Sequence, residues 1–241
     1  VTYWLFTLYG VSPILSVAVT GPLMFAIGLL LYEPVLRRLL RTYEVPEVFE
    51  GNSLLVAFGL LFVIQNFVVL LWTGAPRDYS YLAYNIQVFT ATMPMNRVVV
   101  FFFATLASLI FYFFLKKTLV GKAMRAVMQH RIGATALGIN VSRLYATSFG
   151  LGVGMAGMAG SLVSMLFTLT PAMGLPFTVV GFLMIILGGL GNVLGSLIAA
   201  FIIGVVQISS AYFTGPGFAQ IIIYMVFIIV LIVRPQGLLK G

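Results

Sequence analysis

The chain alternates between apolar blocks of about twenty residues and short polar stretches. A helix rising 1.5 Å per residue needs a block of that length to cross a hydrocarbon core about 30 Å thick. Residues 53–72 and 218–233 are apolar on every side, so they predict helices that sit in lipid or inside a bundle. A β-barrel would alternate apolar and polar positions in segments of about ten residues, and no such alternation runs through these blocks. The predicted class is all-α: a polytopic transmembrane helical bundle.

Spans are expected at residues 11–32, 53–72, 98–115, 145–169, 193–213 and 218–233. A shorter piece, 177–190, either crosses or is re-entrant. Residues 1–9 are apolar but too short to cross. The sequence opens on Val1 rather than a methionine, and N-terminal residues, with the helices they carry, are expected to be missing from it. Between the spans, 33–50 reads as a charged segment and 73–96 as a polar loop rich in turn residues and tyrosines, with Pro171, Gly174 and Pro176 forming a later turn. On this pattern residues 1–241 make one transmembrane domain, with 116–143 as a loop within it.

Charge gives the spans a direction. Only 7% of the residues are charged and 61% are apolar, against roughly 25% charged in a soluble domain. The net charge of +8 does not read as nucleic-acid binding, because the basic residues sit in short loops between spans, which is a topology signal. Lys116, Lys117, Lys122, Arg125, Arg131 and Arg143 occur together without an acidic residue, so that loop is expected in the cytoplasm. Counting crossings from it puts Arg37, Arg38 and Arg41 on the same side and the 73–96 loop outside. The C-terminal Arg234 and Lys240 then also fall in the cytoplasm, provided the short piece crosses.

Candidate chemistry is sparse. The absence of cysteine excludes disulfides, thiolate nucleophiles and Cys-based metal sites. There is one histidine, His130, and the five carboxylates, Glu33, Glu44, Glu47, Glu50 and Asp78, fall in expected loops or span ends. No acid-base pair is placed in a pocket, no metal site is expected, and an enzyme is not the reading. Gly150, Gly152, Gly154, Gly157 and Gly160 contain a GxGxxG match. Without a βαβ context, glycines at that spacing in an apolar helix let neighbouring helices approach closely. The cluster from Gly188 to Gly195 is followed by Ser196 and Leu197 rather than Lys-Ser/Thr, so it is not a P-loop; a break or a tight approach is expected there.

No ionisable residue lies within a span, which argues against proton coupling. Gln65, Asn66, Asn192 and Gln207 are the neutral polar positions singled out for a translocation path. Hydrogen bonding between helices is the commoner use of such groups. Residues 121–137 read as one short helix outside the membrane, stopped at Gly138-Ile139-Asn140. Such a helix docks a partner or anchors to anionic lipid headgroups through its lysines and arginines.

The run Gly121-Lys122-Ala123-Met124-Arg125-Ala126-Val127 followed by Arg131 through Ala134 to Leu137-Gly138-Ile139-Asn140-Val141 resembles the cytoplasmic loop of permeases for branched-chain amino acids. Those are subunits of ABC importers of the LivH and LivM type. The segment 31–38, the Gln65-Asn66 pair with Gly74-Ala75-Pro76-Arg77 after it, 187–191 and 233–238 extend the likeness over nearly the whole chain, closer to LivH than to LivM. The resemblance implies a permease subunit that carries branched-chain or related small amino acids across the bacterial inner membrane. Relatives import urea, short amides and other small solutes. It also implies a second permease subunit, two cytoplasmic ATPases that bind the ATP and magnesium, and a periplasmic binding protein, with no cofactor in this chain itself. Gly121, Lys122, Arg125, Arg131, Ala134 and Gly138 would lie in the coupling segment that seats on the ATPase. Ile132 stands where the family has an acidic residue, and Gly133 where it has its first alanine. A secondary carrier or channel, and a membrane-embedded enzyme or structural subunit, are the competing readings.

Overall fold

A computed structural model describes residues 1–38, 46–88, 91–189, 191–234 and 237. Arg41, Glu44, Leu190, Pro235, Gln236, Leu238 and Lys240 lie outside the described residues. Five of the described helices are long and apolar enough to cross a membrane, and two shorter apolar helices accompany them. The chain divides into two compact units, Val1–Pro171 and Ala172–Gly241.

The first unit opens with α1, Thr2–Tyr9, which ends on Gly10 in the left-handed region. Helix α2, Pro13–Leu31, starts on a Ser12 cap with Pro13 in its first turn, where the missing N–H costs nothing. It does not stop at the charged residues, as the sequence pattern predicts; it continues as a π-helical turn, Tyr32–Arg37, making one span over Pro13–Arg37. Pro34 falls in that wide turn, and a proline removes a backbone donor and pushes on the carbonyl four residues back. Helix α3, Pro46–Trp72, likewise begins inside the segment expected to be charged loop.

The 73–96 stretch is not all loop. Asn85–Val88 (β1) pairs antiparallel with Ala91–Pro94 (β2), Asn85 opposite Pro94 and Val88 opposite Ala91. Helices α4, Met95–Lys117, and α7, Val141–Val163, flank two short helices of the basic loop, α5, Leu119–Gln129, and α6, Arg131–Ala136. Helix α7 ends six residues before the expected boundary of 169, because residues 164–167 turn back and Leu169 pairs with Arg77.

Helices α2 and α7 make the most extensive contact in this unit. A Cβ on Gly28 would stand 2.9 Å from the Cα of Gly150, and one on Gly154 would stand 3.1 Å from the carbonyl oxygen of Gly21. Gly150, Gly154 and Gly157 therefore pack as the glycine spacing predicts, whereas Gly152 and Gly160 face open space. The helix turns about 100° per residue, so only part of the glycine run can meet one neighbour.

The second unit holds α8, Gly174–Gly188, α9, Val193–Thr214, and α10, Pro216–Val233, around Leu183, Ile203 and Ile223. The turn expected at Pro171, Gly174 and Pro176 gives way to helix at Gly174, with Pro176 in the first turn. Helix α8 has 15 residues, a rise of about 22 Å against a core of about 30 Å. Gly188 and Gly195 touch backbone to backbone: a Cβ on Gly195 would overlap the Gly188 carbonyl. The glycine cluster thus closes a tight reversal between α8 and α9.

Candidate functional site

The basic loop is a small folded module. Thr118 opens α5, its hydroxyl accepting from Gly121 N–H at 3.1 Å. Gly121 then lies so close to α4 that a Cβ would overlap the backbone of Leu115. Met124 and Val127 follow at helical spacing and, with Ala134 and Leu144, form a buried cluster that joins α5 and α6 to the start of α7.

The sequence reads as one helix over 121–137, but the structure breaks it at His130. That residue leaves helical geometry, and its Nδ1 accepts from Gly133 N–H at 2.9 Å, so it caps α6. At the far end Gly138 adopts φ +80°, its N–H and that of Ile139 close the last turn, and Asn140 caps α7 through Arg143 N–H. The stop at Gly138 and restart at Asn140 are as the sequence predicts.

The six coupling positions fall into two groups. Gly121 and Ala134 are buried and Gly138 turns the chain. Arg125 donates to the Lys116 carbonyl at 3.2 Å, and the Arg131 guanidinium lies 5.9 Å from the Tyr145 ring centre. These residues build the module. Lys122, Arg125 and Arg131 are all exposed, and with them the module presents four strongly exposed apolar side chains: Leu119, Met128, Ile132 and Leu137. Met128 lies four residues from buried Met124, on the face that helical spacing assigns to the interior, and Leu137 caps a separate helix beyond the break at His130, so helical phase does not mark either as exposed.

Of the four positions singled out for a path, Gln65 and Asn66 belong to the first unit and Asn192 and Gln207 to the second. Asn66 is exposed and bonds back to the Phe62 carbonyl of its own helix. Gln65 is partly buried. Gln207 is exposed on α9, and Asn192 caps α9 through Gly195 N–H at 3.0 Å.

The buried polar groups are hydroxyls that a search for amides passes over. Ser161 on α7 lies between Thr2 of α1, at 2.9 Å, and Thr20 of α2, at 2.7 Å. Three residues on, the Ser164 hydroxyl donates to the Ser161 carbonyl and lies 2.6 Å from the Tyr79 oxygen. Its single proton is used there, so Tyr79 donates to it. Burial pushes the Tyr79 phenol above its usual range, and the contact with Ser164 pulls it partly back; the group is a neutral donor at pH 7.

These hydroxyls end at an open cavity of about 400 Å³ lined by Asp78, Tyr79, Tyr81, Asn96, Ser164 and Phe167, among others. Among the described residues no group of three or more carboxylate, histidine or cysteine side chains is arranged to hold a metal ion.

The family model described as "Branched-chain amino acid transport system / permease component" matches residues 1–231. The chain is 28% identical over 196 residues to the high-affinity branched-chain amino acid transport system permease protein LivH of Escherichia coli, a match covering 78% of this chain and 63% of that protein. It is 26% identical over 200 residues to the permease protein BraD of Pseudomonas aeruginosa, covering 78% and 65%. To the probable branched-chain amino acid transport permease protein LivH of Methanocaldococcus jannaschii it is 28% identical over 251 residues, covering 97% and 76%. The chain thus spans about 63% of the length of the Escherichia coli relative. No solved structure matches it.

Proposed function

Because the chain belongs to the branched-chain amino acid transport permease family, we propose that it is the membrane-spanning subunit of an ABC importer for branched-chain or related small amino acids. ATP is bound and hydrolysed on separate cytoplasmic subunits. A second permease subunit completes the pore, and a binding protein delivers solute from the other side of an inner membrane.

One observation carries this reading: a folded helical module outside the spans leaves Leu119, Met128, Ile132 and Leu137 exposed among the basic residues Lys122, Arg125 and Arg131. An apolar patch with a basic edge is what a protein partner covers. A lipid anchor would instead point its buried face toward the bilayer, and here that face is used up against α4 and α7. Where the family has an acid, Ile132 makes the contact apolar, so hydrophobic burial replaces an ion pair.

By the positive-inside rule the loop is cytoplasmic, and so is the C-terminus once α8, α9 and α10 all cross. Co-reconstitution in proteoliposomes tests the proposal. Leucine uptake that requires ATP, the ATPase subunits and the binding protein is the expected result. Gradient-driven uptake by the chain alone would overturn it in favour of a secondary carrier.

A further inference from the structure

We infer that the cavity beside Asp78 is a subsite for a primary ammonium group, and that it receives the amino end of an amino-acid solute; the second clause rests on the importer reading. Helices α4 and α7 fix its place. Each has 23 residues, a rise of about 34 Å. Asn96 lies at one end of α4 and Lys116 at the other, and Ser164 and Val141 bracket α7 in the same way. The cavity and the basic loop are therefore a membrane thickness apart, and a cytoplasmic loop puts the cavity on the outer side.

The chemistry of the walls selects a cation. Asp78 is the only carboxylate of the chain beyond residue 50. It lines the cavity, and its Oδ2 accepts from the Thr168 hydroxyl at 3.0 Å. No other hydrogen bond to this carboxylate forms among the described residues. The Asn96 Oδ1 is buried with no donor on it among the described residues, while its amide nitrogen is committed to the Met165 carbonyl at 3.2 Å. Ser164 lies just past the C-terminal end of α7, the end at which a helix dipole is negative.

The neighbouring cation, Arg77, forms no ion pair with Asp78. The Arg77 guanidinium is 5.5 Å from the Tyr3 ring centre and 4.8 Å from that of Trp4, and it donates to the Trp72 carbonyl. The next one, Arg97, is exposed and does not line the cavity. A volume of about 400 Å³ suits a small solute, and Phe167 and Tyr81 offer apolar surface for an aliphatic side chain.

The chain lacks cysteine, which permits a direct test. In membrane vesicles holding the whole transporter, Ser80→Cys gives this chain one thiol, in the cavity wall, and vesicles without the substitution supply the background. Its reaction rates with cationic 2-aminoethyl and anionic 2-sulfonatoethyl methanethiosulfonate are compared with those of a free thiol. The expected cation preference is about tenfold, the scale on which focused fields concentrate ions. It should fall to within about twofold when Asp78→Asn removes the charge. An unchanged rate with a neutral methanethiosulfonate shows that this variant is folded.

Leucine and 3-methylbutylamine are expected to protect the thiol, and 4-methylpentanoate, which lacks the amine, is not. No cation preference, a preference indifferent to Asp78→Asn, or equal protection by 4-methylpentanoate would overturn the subsite. Protection by the amine but not by leucine would leave the ammonium subsite standing and sink the amino-acid reading.

Discussion

Replacing Gly28 with alanine tests whether close helix approach, rather than hydrogen bonding, holds the first unit together. The added Cβ would stand 2.9 Å from the Cα of Gly150 and 3.0 Å from the Cβ of Val153. Carbon atoms rest at about 3.5–4.0 Å, so α2 and α7 must part by about 0.5–1 Å at that point. A gap of that size forfeits about a quarter to a half of each contact well of about 0.1–0.2 kcal/mol. Over the few tens of atom pairs in a long helix crossing the loss is about 1–2 kcal/mol, within the range of about 1–3 kcal/mol for overpacked cores. Deleting the hydroxyl of Ser161 removes the bonds to Thr2 and Thr20, each worth about 0.6 kcal/mol inside a membrane. The glycine should therefore matter more than the serine. Gly152 is the control, because a Cβ there meets nothing within 4 Å, and alanine should even gain up to about 1 kcal/mol of helix propensity. Reversible unfolding in mixed micelles, followed by circular dichroism, should rank Gly28→Ala as most destabilising, Ser161→Ala next and Gly152→Ala as neutral or stabilising. Equal losses at Gly28 and Gly152 would refute the packing argument.

Further outcomes follow from the loop, the cap and the hydroxyl line. Ile132→Glu and Leu137→Glu place charge in the outward patch and should cut ATP-driven uptake by about tenfold or more, as expected at interface hot spots, with unchanged circular dichroism; normal uptake in both would remove the patch from coupling. Asn192→Ala should cost about 1 kcal/mol of stability through the lost cap and leave the half-saturating solute concentration unaltered, whereas a large rise in that concentration would return Asn192 to the solute path. Tyr79→Phe should lower stability by about 1 kcal/mol, because Ser164 loses its donor; no loss in the same unfolding measurement would mean the bond is not formed in the membrane.

The spans were legible because composition alone sets them: a run such as 53–72 has no charged group to place in water. The glycine spacing of α7 announced close packing, but the neighbour that selects Gly150, Gly154 and Gly157 over Gly152 is set by α2, far away in sequence. The hairpin at 85–94 is four residues per strand, too short to stand out within a tyrosine-rich loop. The single helix expected over 121–137 failed at His130 because histidine is an uncommon cap and nothing local marks it. In the candidate site, charge points to Arg125 and Arg131, which are exposed and also bonded within the module, and amides point to Gln65 and Gln207. Serines and threonines bond their own helices so readily that Ser161 looked unremarkable until Thr2 and Thr20 were brought beside it.

Helices α4 and α7 share both their ends. Both leave the basic module and both end at the cavity wall, at Asn96 and beside Ser164. Helix α7 is held to α2 at Gly150, Gly154 and Gly157 and again through the Ser161–Thr20 hydroxyl contact, so the seam reaches to within three residues of Ser164. A helix clamped over that length has no free lever on the outer side, and the place of Ser164 beside Tyr79 in the cavity wall is set by α2.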